Sequence, residues 1–196
     1  MKLSMRAVRV GLVASASLLT AAAGQAGAQI IQFDLIGRAG SGLLAGNENF
    51  TVNGTFGSGG EIGQGIFFNA ATNQLTINVG WGSANGFSNL TGNATVGHIH
   101  GPTTSAAPAS FTQSAGVKNG LDNLAGWNPS ASAGSFIGTI SILPADVQGL
   151  YDGKFYINVH TSLNGPGEIR GQLVPAPGAA GLLLGSGLLA ARRRRR

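Results

Sequence analysis

The 196-residue sequence contains no cysteine. Disulfide bonds, thiolate metal ligands, cysteine nucleophiles and a lipid-modified cysteine anchor are therefore all excluded. Histidine is scarce, with three residues in the whole chain, and no Gly-x-Ser-x-Gly segment leads into a helix-forming stretch. The carboxylates are few and scattered, as is typical of a solvated surface. We therefore expect a protein that is not an enzyme.

Charged residues make up only 10% of the chain, and most of the basic ones lie at its two ends. Eight of the twelve Lys and Arg residues fall within residues 2–9 and 192–196. Between residues 29 and 174, four basic and seven acidic residues leave a net charge of −3. A protein that binds nucleic-acid phosphates needs a basic surface, so we expect no nucleic-acid partner.

The first 28 residues have the layout of a cleavable secretory signal peptide. A basic start is followed by an apolar stretch over residues 10–23 and by the small-residue site Ala26-Gly27-Ala28. We predict cleavage between Ala28 and Gln29 and export of the mature chain. A retained N-terminal membrane helix is the alternative, although the apolar stretch is short for a bilayer core of about 30 Å.

The C-terminal residues 175–196 combine prolines, an apolar stretch over 178–191 and five arginines. This end resembles the PEP-CTERM sorting signal of Gram-negative bacteria, with Val174, Pro175 and Pro177 in its short motif and Ala176 where that signal usually has Glu. The resemblance implies an exosortase-type sorting enzyme as partner and a hydrophobic helix that holds the chain in the inner membrane during sorting. Transfer to the cell surface or to an extracellular polysaccharide matrix would follow. A plain basic tail is the competing interpretation.

Glycine occurs 33 times, and short β-rich segments recur between clusters of Gly, Asn and Pro. In the clearest of them, Phe155, Ile157 and Val159 alternate with polar residues, which predicts one buried and one polar face. We predict an antiparallel β-sandwich of about eight strands over residues 29–174. The predicted strands cover residues 30–36, 50–56, 65–69, 74–81, 94–100, 135–142, 154–161 and 168–174. A helical turn is predicted over 144–151, and a long loop over 101–134.

Two segments are specific enough to identify a family. They are Gly97-His98-Ile99-His100-Gly101-Pro102 and, about 50 residues later, the run that includes Asn158-Val159-His160-Thr161 and Gly167-Glu168-Ile169-Arg170-Gly171-Gln172-Leu173. Both resemble the CHRD domain, first described in chordin and common in bacterial secreted proteins. The resemblance extends from about residue 33 to 173. It implies an immunoglobulin-like β-sandwich with no established enzymatic activity.

All three histidines fall within these two segments. His98 and His100 are two residues apart on a predicted strand, so their side chains point the same way and could share one ion. His160 could complete the site, with Glu168 as a fourth ligand, and neutral imidazoles would suit Zn²⁺ or Cu²⁺. The alternative is a structural polar cluster without any cofactor, in which the histidines form hydrogen bonds with Asn158, Thr161, Glu168 and Arg170.

Two hypotheses for the function follow. The first is a non-catalytic adhesion or binding module at the cell surface or in the exopolysaccharide matrix, with polysaccharide or surface proteins as partners. Its binding surface would lie in the 101–134 loop and around Trp81 and Trp127, whose rings could stack on sugars, although ordinary core packing is the alternative for both tryptophans. The second is a metal-binding protein of the cell envelope that uses the three histidines.

Overall fold

The computed structural model describes residues 29–45 and 57–177, and in them it shows eleven antiparallel strands and little helix. The strands are β1 (Ile30–Gly37), β2 (Gly40–Ser41), β3 (Leu43–Ala45), β4 (Ser58–Asn69), β5 (Gln74–Trp81), β6 (Ala94–His100), β7 (Val117–Gly120), β8 (Trp127–Ser130), β9 (Ala133–Ser141), β10 (Phe155–Thr161) and β11 (Ile169–Pro175). The helix α1 (Val147–Tyr151) follows a 3-10 turn at Pro144–Asp146, and two further 3-10 turns lie at Ser83–Asn85 and Ala109–Thr112.

The strands form one continuous sheet in the order β7-β6-β10-β11-β1-β4-β5-β9-β8. The short strands β2 and β3 lie off this path, β2 beside β1, and β3 between β11 and β4. The two strands that carry the histidines, β6 and β10, are direct neighbours. The two strands of the second sequence motif, β10 and β11, are also direct neighbours.

The prediction of an all-β antiparallel domain is confirmed. Seven of the eight predicted strands overlap observed ones, and residues 74–81 and 94–100 match β5 and β6 at both ends. The loop between β4 and β5 is a tight turn over residues 70–73, where Asn69 pairs with Gln74 across the turn and Asn73 adopts a left-handed conformation with φ of 54°. The helical turn at 144–151 is confirmed as a 3-10 turn that runs into α1.

Four short strands were not predicted, namely β2, β3, β7 and β8, of two to four residues each. Segments this short show too few residues for an alternating pattern to stand out. Two of them, β7 and β8, lie within residues 101–134, which we expected to be a loop throughout. The predicted strand at 50–56 lies outside the described residues.

The sheet folds back on itself around one hydrophobic core. Trp127 on the terminal strand β8 packs against Trp81, with ring centroids 5.0 Å apart. The Trp127 ring also covers Gly97 on β6, near the other end of the strand order, where an added Cβ would lie only 2.4 Å from its Cζ3 atom. The amide of Ala94 donates to the carbonyl of Ala131 at 2.9 Å and links the same two regions. Trp81 is fully buried, so the core-packing alternative holds for it, and it is no surface for sugars.

The polar face of β10 and β11 is buried as well, which the sequence pattern did not predict. The apolar residues of β10 face the core as expected, yet Tyr156, Asn158 and Arg170 on the other face are at most 2% exposed. Residues 101–116 cover them: Ala115 contacts the Tyr156 hydroxyl, and the carbonyl of Ser110 accepts a hydrogen bond from Arg170. Residues 101–116 of the predicted loop therefore cover a second buried region, and this region is polar.

The two predicted sorting segments lie mostly beyond the described residues. Ala28 and the apolar stretch 178–191 are outside them, so signal cleavage and the C-terminal helix stay predictions. Val174 and Pro175 belong to β11 and pair with β1, which continues the sheet one residue past the predicted domain boundary at 174. Within residues 29–45 and 57–177, no helix has the length and apolar character that crossing a membrane requires.

Candidate metal centre

The antiparallel pairing of β6 with β10 brings the three histidines together. In its register, His98 lies opposite Asn158 and His100 lies opposite Tyr156. Because alternate residues of a strand share a face, His160 projects on the same side as both other histidines. One ring nitrogen from each of the three lies within 4.8 Å of the other two. The closest pair is Nδ1 of His98 and Nε2 of His160, at 3.0 Å.

Backbone carbonyls fix the outward nitrogens of two rings. Nδ1 of His100 lies 2.8 Å from the carbonyl of Ala115, and Nδ1 of His160 lies 2.6 Å from the carbonyl of Gly165. A carbonyl only accepts hydrogen bonds, so both Nδ1 atoms carry the proton. In its neutral form, each of these two rings therefore has a bare Nε2 lone pair. The Nε2 atom of His100 is buried and has no hydrogen-bond partner.

Electrostatics keeps two of these imidazoles neutral near pH 7. Burial lowers the pKa of His98 below its usual 6.5, the neighbouring His160 and His100 lower it further, and Asp122 opposes the shift. Burial also lowers the pKa of His100, against the opposing effects of the Ala115 carbonyl and Asn158. Neutral imidazole is the form that binds a metal ion, so metal binding at His98 and His100 requires little free energy for deprotonation.

The donor set suits a borderline transition-metal ion. Imidazole nitrogens bind Zn²⁺ at about 2.0–2.1 Å, which in a tetrahedral site places them roughly 3.3 Å apart. The closest nitrogen pair already lies at 3.0 Å, and the widest separation in the group is 4.8 Å. Side-chain rotations that move the nitrogens by 1–2 Å, on the order of one metal–nitrogen bond, would complete three ligand positions.

Glu168 lies apart from the three histidines. It is fully buried, and its two oxygens accept hydrogen bonds from the Thr91 amide and hydroxyl, the Thr161 hydroxyl, the Asn164 side chain and the Gly57 amide, at 2.7–3.2 Å. With both oxygens engaged in this way, Glu168 does not belong to the histidine group that could hold an ion. The predicted fourth ligand is therefore part of a separate structural cluster, which we call the Glu168 node.

Hydrogen bonds hold Glu168 in its charged form. Burial raises the pKa of this carboxyl, but the bonds donated by Thr91, Thr161 and Gly57 outweigh burial and bring its pKa below the usual 4.5. Thr161 belongs to this node and not to the histidines. The structure thus divides the polar cluster that the sequence suggested into two. One is the Glu168 node, and the second consists of the histidines with Tyr156, Asn158 and Arg170. The two clusters meet at the loop after β10.

In the second cluster, the positively charged Arg170 lies next to the Tyr156 ring, which stacks on His100. The ring of Tyr156 stacks parallel to that of His100 with centroids 4.8 Å apart, and Cζ of Arg170 lies 3.4 Å from the centroid of the Tyr156 ring. Arg170 also donates to Gln172 at 2.8 Å. Both amide atoms of Asn158 are buried between these groups without a hydrogen-bond partner. The tyrosine ring separates the guanidinium from the candidate metal position.

Sequence reasoning missed Asp122, whose carboxylate oxygen Oδ1 lies 3.8 Å from Nε2 of His98. It also missed the carbonyls of Ala115 and Gly165, which orient two of the rings. Asp122 and Ala115 lie outside both sequence motifs and reach the site because residues 101–122 fold over the polar face. The sequence signal for this was the length of that segment. Gly165 lies within the second motif segment, in the loop five residues after His160.

Comparison with known proteins identifies the domain but not its activity. The sequence model of the CHRD domain matches residues 40–173, which include every residue of the candidate centre. No significant match was found among curated proteins or among solved structures.

Proposed function

The chain belongs to the CHRD domain family, and from that premise we propose that it is an exported, non-catalytic binding protein of the cell envelope that holds Zn²⁺ or Cu²⁺. The proposed ligands are His98, His100 and His160. The observation that carries this proposal is the convergence of their three ring nitrogens within 4.8 Å. The buried, unpartnered Nε2 of His100 supports it, because a bound ion would satisfy that atom.

The proposed site keeps an open coordination position. None of the carboxylates in the described residues joins the three nitrogens as a ligand. The side chain of His98 is about one-fifth exposed, and His160 is only half-buried, so one side of the cluster faces solvent. Closed zinc sites have four protein ligands, whereas sites that exchange a water or another ligand have three. We therefore propose that the ion at this centre carries an exchangeable fourth ligand.

A metal titration of the metal-stripped full chain tests the proposal. With free Zn²⁺ or Cu²⁺ at about one hundred times the dissociation constant, binding adds roughly 2.7 kcal/mol of stability. For a domain of this size, that is a rise in melting temperature of about 5–10 °C. His100→Ala should abolish the rise, while Asp146→Asn should keep it, because Asp146 is a half-buried acid that pairs with Lys118 and not with the histidines. An unchanged melting temperature of the unmodified chain in excess metal would refute the proposal.

We also propose that the chain is sorted to the cell surface or matrix by an exosortase-type enzyme acting on its C-terminal segment. The signal-peptide layout and the tripartite C-terminus support this. A truncation that tests it should end after Pro177, because Val174 and Pro175 pair with β1 and Ala176 donates to the carbonyl of Gln32. In the producing organism, the truncated chain should be released into the medium while the full chain stays with the cells and their polysaccharide. Equal release of both would count against sorting.

Adhesion to polysaccharide or to surface proteins is the second candidate function. One observation favours it: an open groove of about 250 Å³, lined by polar Lys118, Asn119 and Asp146 beside apolar Leu143 and Phe155. Leu143 is 62% exposed at its rim. Stronger retention of the chain than of an Asn119→Ala variant on the organism's own polysaccharide would support this role. We further propose that the folded-back sheet is an immunoglobulin-like sandwich, which an experimental structure with two facing sheets would establish.

A further inference from the structure

Asp122 has a buried carboxylate oxygen that lacks a hydrogen-bond donor. Its Oδ1 atom is inaccessible to solvent and has no hydrogen-bond partner, although Nε2 of His98 lies only 3.8 Å away. Leaving a buried acceptor unsatisfied costs about 1–3 kcal/mol, and more for a charged group, so such atoms call for an explanation. The explanation lies in the position of the proton on His98.

The metal-free arrangement places the His98 proton on the wrong side of the ring for Asp122. Nδ1 of His160 donates to the carbonyl of Gly165, so Nε2 of His160 is bare when that ring is neutral. Nδ1 of His98 lies 3.0 Å from this bare nitrogen and must therefore be the donor. A neutral ring has only one N–H, so Nε2 of His98 has no proton to offer to the carboxylate.

We propose that Asp122 is the positioning residue that converts His98 into a metal ligand. Binding of the ion at Nδ1 displaces the proton there to solvent, and Nε2 takes up a proton and donates it to Asp122. One proton leaves the ring and one enters it, so His98 stays neutral throughout. The other two histidines already have their outward nitrogens bonded to carbonyls, and this step gives the third ring the same support. The inference rests on the proposed metal-binding function.

A hydrogen bond from His98 to Asp122 should raise the affinity for the metal ion by a measurable amount. Metal-binding histidines usually donate their second N–H to a carboxylate or carbonyl, and removing that partner weakens metal binding by about 10–100-fold. Asp122 is not itself a ligand here, because it faces Nε2 of His98, whereas His160 faces Nδ1 of that ring.

The test compares three full-length chains: the unmodified protein, Asp122→Asn and the matched control Asp146→Asn. Zn²⁺ affinity, measured by competition with a chelator, should fall about 10–100-fold in Asp122→Asn and stay unchanged in the control. The melting temperatures of the metal-free forms show whether either substitution disturbs the fold. A second measurement needs no variant: nitrogen-15 NMR of the imidazoles in the unmodified chain should show the His98 proton on Nδ1 without metal and on Nε2 with Zn²⁺.

The outcomes separate the two proposals. If the unmodified chain does not bind Zn²⁺, the proposed function fails. If it binds Zn²⁺ but the His98 proton is on the same nitrogen with and without the ion, the inference about Asp122 is overturned and the metal site stands. Equal Zn²⁺ affinity of a folded Asp122→Asn variant and the control would overturn it as well. If Asp122→Asn does not fold, the NMR measurement decides alone.

Discussion

Among the buried polar residues, we expect substitution of Glu168 to lower the free energy of unfolding the most. Glu168→Gln keeps the size of the side chain but removes its charge and one of its two acceptor oxygens. The amide oxygen would best replace Oε1, which accepts from the fixed backbone amides of Thr91 and Gly57. The new NH₂ group would then replace Oε2, where the side chain of Asn164 now donates at 3.2 Å. Two donors would face each other at that position.

The cost follows from the hydrogen bonds. Hydrogen bonds to a charged group are worth about 1.5–3 kcal/mol and neutral ones about 1, so each of the two retained backbone bonds weakens by roughly 1 kcal/mol. The conflict with Asn164 removes a further bond, worth about 1–3 kcal/mol. Relief from burying a charge offsets part of this sum. We expect a net loss of about 3 kcal/mol, which for a domain of this size lowers the melting temperature by roughly 10 °C.

The pH dependence adds an independent signature. The folded-state pKa of Glu168 lies below the usual 4.5, so its stabilising effect is complete above that pH and is lost as the pH falls through the lower folded-state value. The unmodified chain should therefore lose its advantage over Glu168→Gln as the pH falls below 4.5.

Urea unfolding from pH 7 to pH 3, followed by circular dichroism, measures both effects. Asp152→Asn is a suitable control, because its ion pair with Lys154 is partly exposed and worth at most about 1 kcal/mol. The reasoning is refuted if Glu168→Gln at pH 7 is no less stable than this control. It is equally refuted if the gap to the unmodified chain stays constant down to pH 3.

Two further predictions concern the histidines and the core. Burial holds the pKa values of His98 and His100 below 6.5, so the unfolded chain binds more protons below that pH, and the stability of the metal-free chain should fall from pH 6.5 downwards. A urea midpoint that does not fall between pH 6.5 and pH 5 would contradict this. Gly97→Ala should cost about 1–3 kcal/mol, because its Cβ would lie 2.4 Å from the Trp127 ring. The control is Gly116→Ala, where no atom lies within 4 Å of the added Cβ, and an equal loss in both variants would refute the packing argument.

The strands that carry the motifs were predictable because their local pattern and their tertiary environment agree. Residues 94–100 and 154–161 have the β-rich alternation that the pleat requires, and they coincide with β6 and β10 to within one residue. Burial of both faces of β10 was not predictable. It depends on residues 101–116, which pack on Tyr156 and Arg170 through hydrogen bonds made by the backbone of Ala115 and Ser110.

The fate of Glu168 shows the limit of reasoning from spacing. Its position two residues before Arg170 on one strand suggested a shared polar face with the histidines. The structure instead directs its carboxylate to Thr91 and Thr161 at the end of the sheet. The amide of Thr91 donates to it from 77 residues earlier in the chain, and no local pattern can indicate such a partner.

The sequence by itself determined that His98 and His100 share one side of a strand, because side chains two residues apart on a pleated strand point the same way. It also determined the alternation on β10 that sets His160 apart from the apolar core. Only the tertiary structure decided that the three rings meet. Their meeting depends on the register that places His98 opposite Asn158, and a slip of one residue would turn one strand's side chains to the opposite face. That register is set by pairing between residues some 60 positions apart and by the loop that closes over them, and neither is encoded locally.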